Sequence, residues 1–345
     1  MMGTKTIRTV IAAIPLGLAL LAIPTSADAG SVLKDIRQRG VVRCSVATAS
    51  GFASHDASGR PVGLMVDFCR SIAAAVLGNA EAIELRHLPR TKEYNAVESR
   101  EIDVSFAMDS WMASRETGRK IDFGPAIFYD SQGLAAWSTH APQSARDRPD
   151  AVVCVTTGSS AKRNIETMIR TTGQKWTLRA RNSWEETLQA FLSRECSMVA
   201  GDQTVLITSL QDLQQFGNEI EIFSDVLSRD ALAPVVAAGD HQWLLVVRWA
   251  MFALILAEEK GITTANVLDK RTNGDLETKR LLNGIPAIGA KLGLADDWAY
   301  QVISRVGNYG EIFERNLGKN APFHRDRGLN KPWAQGGLLY SPPFL

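Results

Sequence analysis

The chain runs twice through the same alternation of apolar strand and amphipathic helix, which restricts the folds open to it. Val41–Val46 reads as a strand, Leu64–Leu77 as a helix with Phe68, Ile72, Ala75 and Val76 at helical spacing, and Ile83–Leu88 as a second strand. A helix over Lys92–Ser99 and a strand over Ile102–Met108 complete the first unit. The order then restarts: strand Ala151–Val155, helix Ala161–Thr171, strand Trp176–Ala180, helix Trp184–Ser193 and strand Ser197–Gly201. Strand–helix–strand succession is the pattern of parallel α/β layers. Two such units predict a cleft between them, with ligand-facing residues just after the strands, where the following helices begin.

The polar, proline-containing stretch Thr139–Asp150 reads as the boundary between the units. Beyond Pro234 the pattern becomes more helical, with helices expected over Trp243–Glu259, Asp296–Val306 and Tyr309–Leu317. The tail from Asn330 is rich in Pro, Gly and aromatic residues and is expected to lie extended on the surface.

The N-terminus sets the compartment. Lys5 and Arg8 precede an uncharged run from Val10 to Pro24 and the small-x-small site Ala27-Asp28-Ala29. This is the layout of a secretory signal peptide over residues 1–29, and its apolar run is short for a membrane span; no later stretch reads as long enough either. Lys5 and Arg8 are two of the 38 basic residues and Asp28 is one of the 37 acidic ones, so the chain from Gly30 onward is electrically balanced. Balance argues against a nucleic-acid partner, which rewards a positive excess. Cys44, Cys69, Cys154 and Cys196 all lie beyond the signal; an even count in an exported chain favours two disulfides over a zinc site.

Three post-strand positions carry candidate chemistry. Met108-Asp109-Ser110 leads to Arg115, whose guanidinium suits a carboxylate, with the Ser110 hydroxyl as a second donor. Gly158-Ser159-Ser160 opens a helix and leaves backbone N–H groups for an anion. Asp202, after the third strand of the second unit, is an acceptor for a cation. Together they match the two charged ends of a free amino acid, with Phe52 as a candidate apolar wall. The five histidines lack ligand spacing, no nucleophile–base motif occurs, and no cofactor or metal is implied.

Over nearly its whole exported length the sequence resembles the general L-amino-acid-binding periplasmic proteins of ABC importers. The resemblance is carried by GLMVDFCRSIAAAVLGN at Gly63–Asn79, REIDVSFAMDSWMASRETG at Arg100–Gly118, VVCVTTGSSAKRNI at Val152–Ile165 and DDWAYQVISRVGNYGEIFERNLG at Asp296–Gly318. It implies a type II periplasmic-binding-protein fold, α/β with two lobes: lobe one at 31–137 plus 235–345, lobe two at 138–234. It implies a periplasmic, non-enzymatic, monomeric carrier that closes on a free amino acid and delivers it to a membrane permease.

By the same resemblance, Arg115 and Ser110 bind the ligand carboxylate, Ser159 and Ser160 add donors from lobe two, and Asp202 takes the ammonium. Cys154 and Cys196 match cysteines flanking strands of the second lobe, so a Cys154–Cys196 disulfide is expected, with Cys44–Cys69 as the remaining pair. Where the family often has an arginine, an asparagine and two threonines before the tryptophan, this chain has Ala107-Met108-Asp109-Ser110, and Met112 replaces a following threonine. These changes fall on the side-chain pocket. Asp109, if it faces the cleft, disfavours glutamate and favours a basic or neutral ligand. Two competing functions use the same scaffold: a dehydratase-like lyase acting on a cyclic carboxylate, for which Asp109 is the one unusual proton donor, and a ligand-presenting sensor.

Overall fold

The computed structural model describes residues 31–138, 144–212, 219–223, 227–284 and 288–344, together with Gly3. The signal segment at 1–29 and residues 139–143 of the expected boundary lie outside the described residues.

The chain opens with helix α1 (Ser31–Arg39), strand β1 (Val42–Val46) and a small hairpin, β2 (Ser54–His55) with β3 (Pro61–Val62). Helix α2 (Leu64–Leu77), β4 (Ile83–Arg86), α3 (Arg90–Glu98), β5 (Val104–Phe106), the short α4 (Ala113–Glu116) and β6 (Ile121–Phe123) follow. Next come β7 (Phe128–Asp130), β8 (Gln132–Trp137), β9 (Val152–Thr156), α5 (Ser160–Thr172), β10 (Thr177–Arg181) and α6 (Trp184–Leu192). The second unit closes with β11 (Met198–Asp202), α7 (Gln203–Asp212), β12 (Ile220–Ile222) and β13 (Asp230–Leu232). Strand β14 (Val235–Ala237) leads into α8 (His241–Glu259), α9 (Val267–Asn273), α10 (Leu276–Asn283), α11 (Ile288–Leu292), α12 (Trp298–Val306) and α13 (Tyr309–Leu317).

These strands form two five-stranded sheets of matching design, ordered β4-β1-β5-β14-β6 and β10-β9-β11-β8-β12. In each, the first three strands are parallel and the last two join through antiparallel pairings. Both α/β units expected from the sequence are present. The inner strands β9, β11 and β8 of the second sheet are buried on both faces, which explains their mostly apolar runs, whereas the edge strand β10 is largely exposed. Leu134, Ala136, Val153, Val155, Met198 and Ala200 pack with Ile165 and Met168 of α5. The alternate residues Ala135, Trp137, Cys154 and Val199 pack with Phe191 of α6 and Leu206 of α7.

The crossing between sheets differs from expectation. Strand β8 belongs to the second sheet, pairing Gln132 with Asp202 and Ala136 with Met198. The chain therefore changes sheets at β7, before the polar stretch that reads as a boundary. It returns at β13, which pairs antiparallel with β7 in the register Asp130–Asp230, Tyr129–Ala231 and Phe128–Leu232. This two-stranded ribbon joins the lobes. Its partners lie a hundred residues apart in sequence, so no local pattern could announce it.

Helix α8 is long and apolar enough by composition to cross a membrane, contrary to the expectation that no later stretch would be. Its side chains from Trp243 to Ala257 are instead largely buried in the first lobe, where α2, α12 and α13 pack against it. The tail is partly anchored: Phe344 is buried, with its ring 4.8 Å from that of Trp249. Both disulfides form, Cys44–Cys69 tying β1 to α2 and Cys154–Cys196 tying β9 to the residue pair before β11.

Candidate functional site

A cleft of about 250 Å³ lies between the sheets, lined from the first lobe by residues after β1, β4 and β5 and from the second by residues after β9, β10 and β11. This is where parallel strands deliver their loops.

Strand β5 ends in a turn at Met108, whose φ of 61° is left-handed and costs a non-glycine residue about 1–2 kcal/mol. The next residues run along the ribbon: the Trp111 N–H donates to the Ala231 carbonyl at 2.8 Å, and the Ala233 N–H to the Asp109 carbonyl at 3.0 Å. Arg115, buried in α4, donates from Nη1 to the Ser110 carbonyl at 2.9 Å. Its Nη2 lies 3.4 Å from Ser160 Oγ, and Ser110 Oγ lies 2.9 Å from that same hydroxyl. Arginine and serine of one lobe thus meet serine of the other at a single point.

That point is the start of α5. Gly158 holds a φ of 76° and Ser159 caps the helix by accepting from the Lys162 N–H at 3.1 Å. The first turn of a thirteen-residue helix faces the cleft there, and its dipole adds to the attraction for an anion.

Across the cleft, Asp202 ends β11 opposite Gln132 of β8. Gln132 Nε2 donates to Asp202 and, at 2.8 Å, to Asp230. Burial pushes the Asp202 carboxyl up to about 6, against the pull of Arg90. A carboxylate under that pressure gains when a cation arrives beside it. Gly201 leaves room for the Trp184 ring, which an added Cβ would meet at 2.7 Å; Trp184 forms part of the cleft wall.

Six expected site residues line this cleft: Arg115, Ser110, Asp202, Ser159, Ser160 and Met108. Two do not. Phe52 is fully buried beneath its loop, edge-on to Phe128 at 5.4 Å, because an aromatic at that point completes the first-lobe core. Asp109 is fully buried behind the wall, where it accepts from Arg90 Nη1 and the Tyr94 hydroxyl, each at 2.7 Å. Burial opposes its ionisation, but Arg90 and Arg115 outweigh burial and hold it below the usual carboxylate range. It therefore neither repels a ligand carboxylate from the cleft nor serves as an acid toward one.

Residues missed in the sequence include Arg90, Thr48 and Asn182, all lining the cleft, and His87, one of the histidines without ligand spacing, lines it too. Arg90 opens α3 directly after β4, the same post-strand position that singled out Arg115. Among the described residues, no group of three or more His, Cys, Asp or Glu is placed to hold a metal.

No protein-family model matches the chain. Individual proteins do. It is 36% identical over 331 residues to the general L-amino acid-binding periplasmic protein AapJ of Rhizobium johnstonii, covering 95% of this chain and 97% of that protein. The chain belongs to the periplasmic amino-acid-binding protein family of ABC transporters. Another relative in that family, the glutamate/glutamine/aspartate/asparagine-binding protein BztA of Rhodobacter capsulatus, is 35% identical over 95% of this chain and 97% of its own length. A solved ABC-transporter periplasmic binding protein from Brucella ovis, with glutathione bound, superposes with a TM-score of 0.86 at 34% identity, covering 90% of this chain and 98% of that one. Membership in the family places the protein in the periplasm as a solute-binding component rather than an enzyme. The lyase reading has also lost its acid, since Asp109 does not reach the cleft.

Proposed function

We propose that the protein binds one free L-α-amino acid between its lobes and hands it to the membrane permease of an importer, acting as a monomer. Arg115 and Ser110 hold the α-carboxylate from the first lobe, Ser159 and Ser160 complete its shell at the N-terminus of α5, and Asp202 accepts the α-ammonium. The observation that carries this reading is the approach of Arg115 and Ser110 to Ser160 across the cleft, with Asp202 on the facing wall. A ligand with anion and cation on one carbon satisfies both ends together, and burying only one of them leaves a charge unpaired.

The relatives support this chemistry. AapJ and BztA are named for amino acids, and glutathione, held by the Brucella ovis protein, also ends in an α-amino-carboxylate. The two lobes meet at the β7–β13 ribbon, so the proposed hinges lie at residues 128–132 and 227–234, and the lobes divide there rather than at 137. Ligand favours the closed form through contacts made from both sides.

The test is titration calorimetry on protein unfolded, refolded and presented with an amino-acid panel. Binding of L-amino acids, with Asp202→Asn weakening them far more than their deaminated analogues, is the expected result. Equal losses for both ligand types refute the assignment of Asp202. Unchanged ligand after prolonged incubation separates a carrier from a lyase.

A further inference from the structure

The floor of the cleft holds a second arginine that the α-amino-carboxylate does not use. Arg90 lines the cleft at the start of α3, and its stem crosses toward the second lobe, with Cγ 3.4 Å from where a Cβ on Gly158 would stand. One of its amino groups, Nη1, is committed to Asp109 at 2.7 Å and lies 3.7 Å from Glu93. Among the described residues, Nε and Nη2 have no hydrogen-bond acceptor in the protein. A guanidinium anchored by one edge leaves its other donors for a ligand.

The charges around Arg90 decide what it accepts. Asp109 lies between two guanidiniums, with Oδ1 2.7 Å from Arg90 and 4.0 Å from Arg115, so its single charge is shared. Glu93 is almost fully buried, and burial together with the Asp109 charge pushes its carboxyl well above the usual range, so it holds its proton. Asp202 faces the cleft from the second lobe and is claimed by the ligand ammonium. Glu185 also lines the cleft but is solvent-exposed. The floor beside Arg115 therefore presents an excess of positive charge and open N–H donors.

We infer that Arg90, fixed in place by Asp109, reads the ligand side chain and selects amino acids whose side chain ends in a carboxylate or carboxamide oxygen. This rests on the amino-acid reading above and deepens it. It also reverses the expectation from sequence: Asp109 favours an acidic ligand because it aims an arginine at the cleft instead of facing the cleft itself. Both guanidiniums lie within 4.0 Å of one Asp109 oxygen, a spacing that lets one short dicarboxylic amino acid engage both. Lysine and arginine place their charge against Arg90 and are rejected.

The test is calorimetry of refolded protein with L-glutamate, L-glutamine, L-alanine and L-lysine, comparing wild type with Arg90→Met. Wild type is expected to bind glutamate or glutamine more tightly than alanine and to bind lysine least. In Arg90→Met the glutamate-to-alanine affinity ratio falls at least tenfold. That variant strands the Asp109 carboxylate, so Arg90→Met combined with Asp109→Asn carries the same test in a fold without an orphaned charge. A ratio that falls less than tenfold in whichever of the two variants folds overturns the inference. Wild type that binds alanine or lysine in preference to glutamate and glutamine overturns it too, while leaving the amino-acid reading intact. Wild type that binds none of the four overturns the amino-acid reading itself.

Discussion

Acidifying the periplasm should release the ligand, and Asp202 sets the pH at which this happens. Burial holds its carboxyl at about 6 before an ammonium arrives, against an ordinary value of 3.8. The ammonium favours the ionised form, so the complex holds Asp202 charged to lower pH than the free protein does. Binding is then strongest above 6 and weakens as pH falls through 6, because a proton must leave Asp202 before the cation can be accepted. At pH 5 about one molecule in eleven has Asp202 ionised, so affinity drops about tenfold from its value near pH 7.5, roughly 1.4 kcal/mol.

Arg90, Arg115, Gln132, Asp230 and the more deeply buried Asp130 surround this group. Asp130, which burial and then the Asp202 charge push up to about 7, takes its proton first and softens the slope between 7 and 6. The assay is calorimetry from pH 5 to pH 7.5 with a neutral amino acid, repeated at pH 6 in two buffers of different ionisation enthalpy. It should register the release of about half a proton on binding. Asp202→Asn should bind more weakly at neutral pH and lose most of the slope. Wild-type affinity that stays flat across this range, or a slope that persists in Asp202→Asn, refutes the reasoning.

Arg115→Ala removes the carboxylate anchor and should cost at least about 2 kcal/mol of binding, some thirtyfold; near-wild-type affinity by calorimetry would rule out its role. Gly201→Ala forces a Cβ to 2.7 Å from the Trp184 ring, so the wall must move and affinity should fall by about 1–3 kcal/mol, visible as a roughly fivefold or larger change in dissociation constant. The disulfides close loops of 25 and 42 residues, and replacing either pair by alanine should lower stability by about 3–4 kcal/mol; an unchanged denaturant midpoint speaks against that cross-link. Without ligand, the protein should be more stable at pH 5.5 than at pH 8. Asp103, Asp130 and Asp202 all have folded values raised to about 6–7, so each prefers its proton in the fold and is forced to ionise as pH rises; a melting temperature that climbs over that interval contradicts this.

The sequence made legible whatever local periodicity and post-strand position could encode. Helix α13 is expected over Tyr309–Leu317 and found there, because an apolar stripe behind Asn308, which caps with Glu311 in a reciprocal box, marks its start unmistakably. Arg115, Ser160 and Asp202 were accessible because each follows a strand. Strand β8 was not, since Gln132 and Gly133 at its start carry no strand signature and its partners β11 and β12 lie far along the chain. The direction in which a side chain leaves a turn was equally hidden. Asp109 and Ser110 are neighbours, yet one is buried behind the wall, bonded to the cleft-lining Arg90, while the other lines the cleft, a consequence of the left-handed backbone at Met108 that no pattern of residue types reveals. Arg90 holds the same post-strand position as Arg115, but its pairing with Asp109 forms only in three dimensions.

The ribbon joining the lobes carries a cleft-lining residue, the proposed carboxylate donor Ser110, on its own backbone. Ser110 forms an isolated bridge with Leu232, and the Trp111 N–H bonds to the Ala231 carbonyl, so in the proposed closure strand β13 is simultaneously fulcrum and part of the grip. Rotation of one lobe about that strand moves the grip directly, through main-chain hydrogen bonds, with no relay of side chains between lever and load. Substitutions scattered through either lobe can therefore change how tightly ligand is held without uncoupling holding from bending, whereas a proline at Ala233, which removes the N–H donated to the Asp109 carbonyl, strikes both at once.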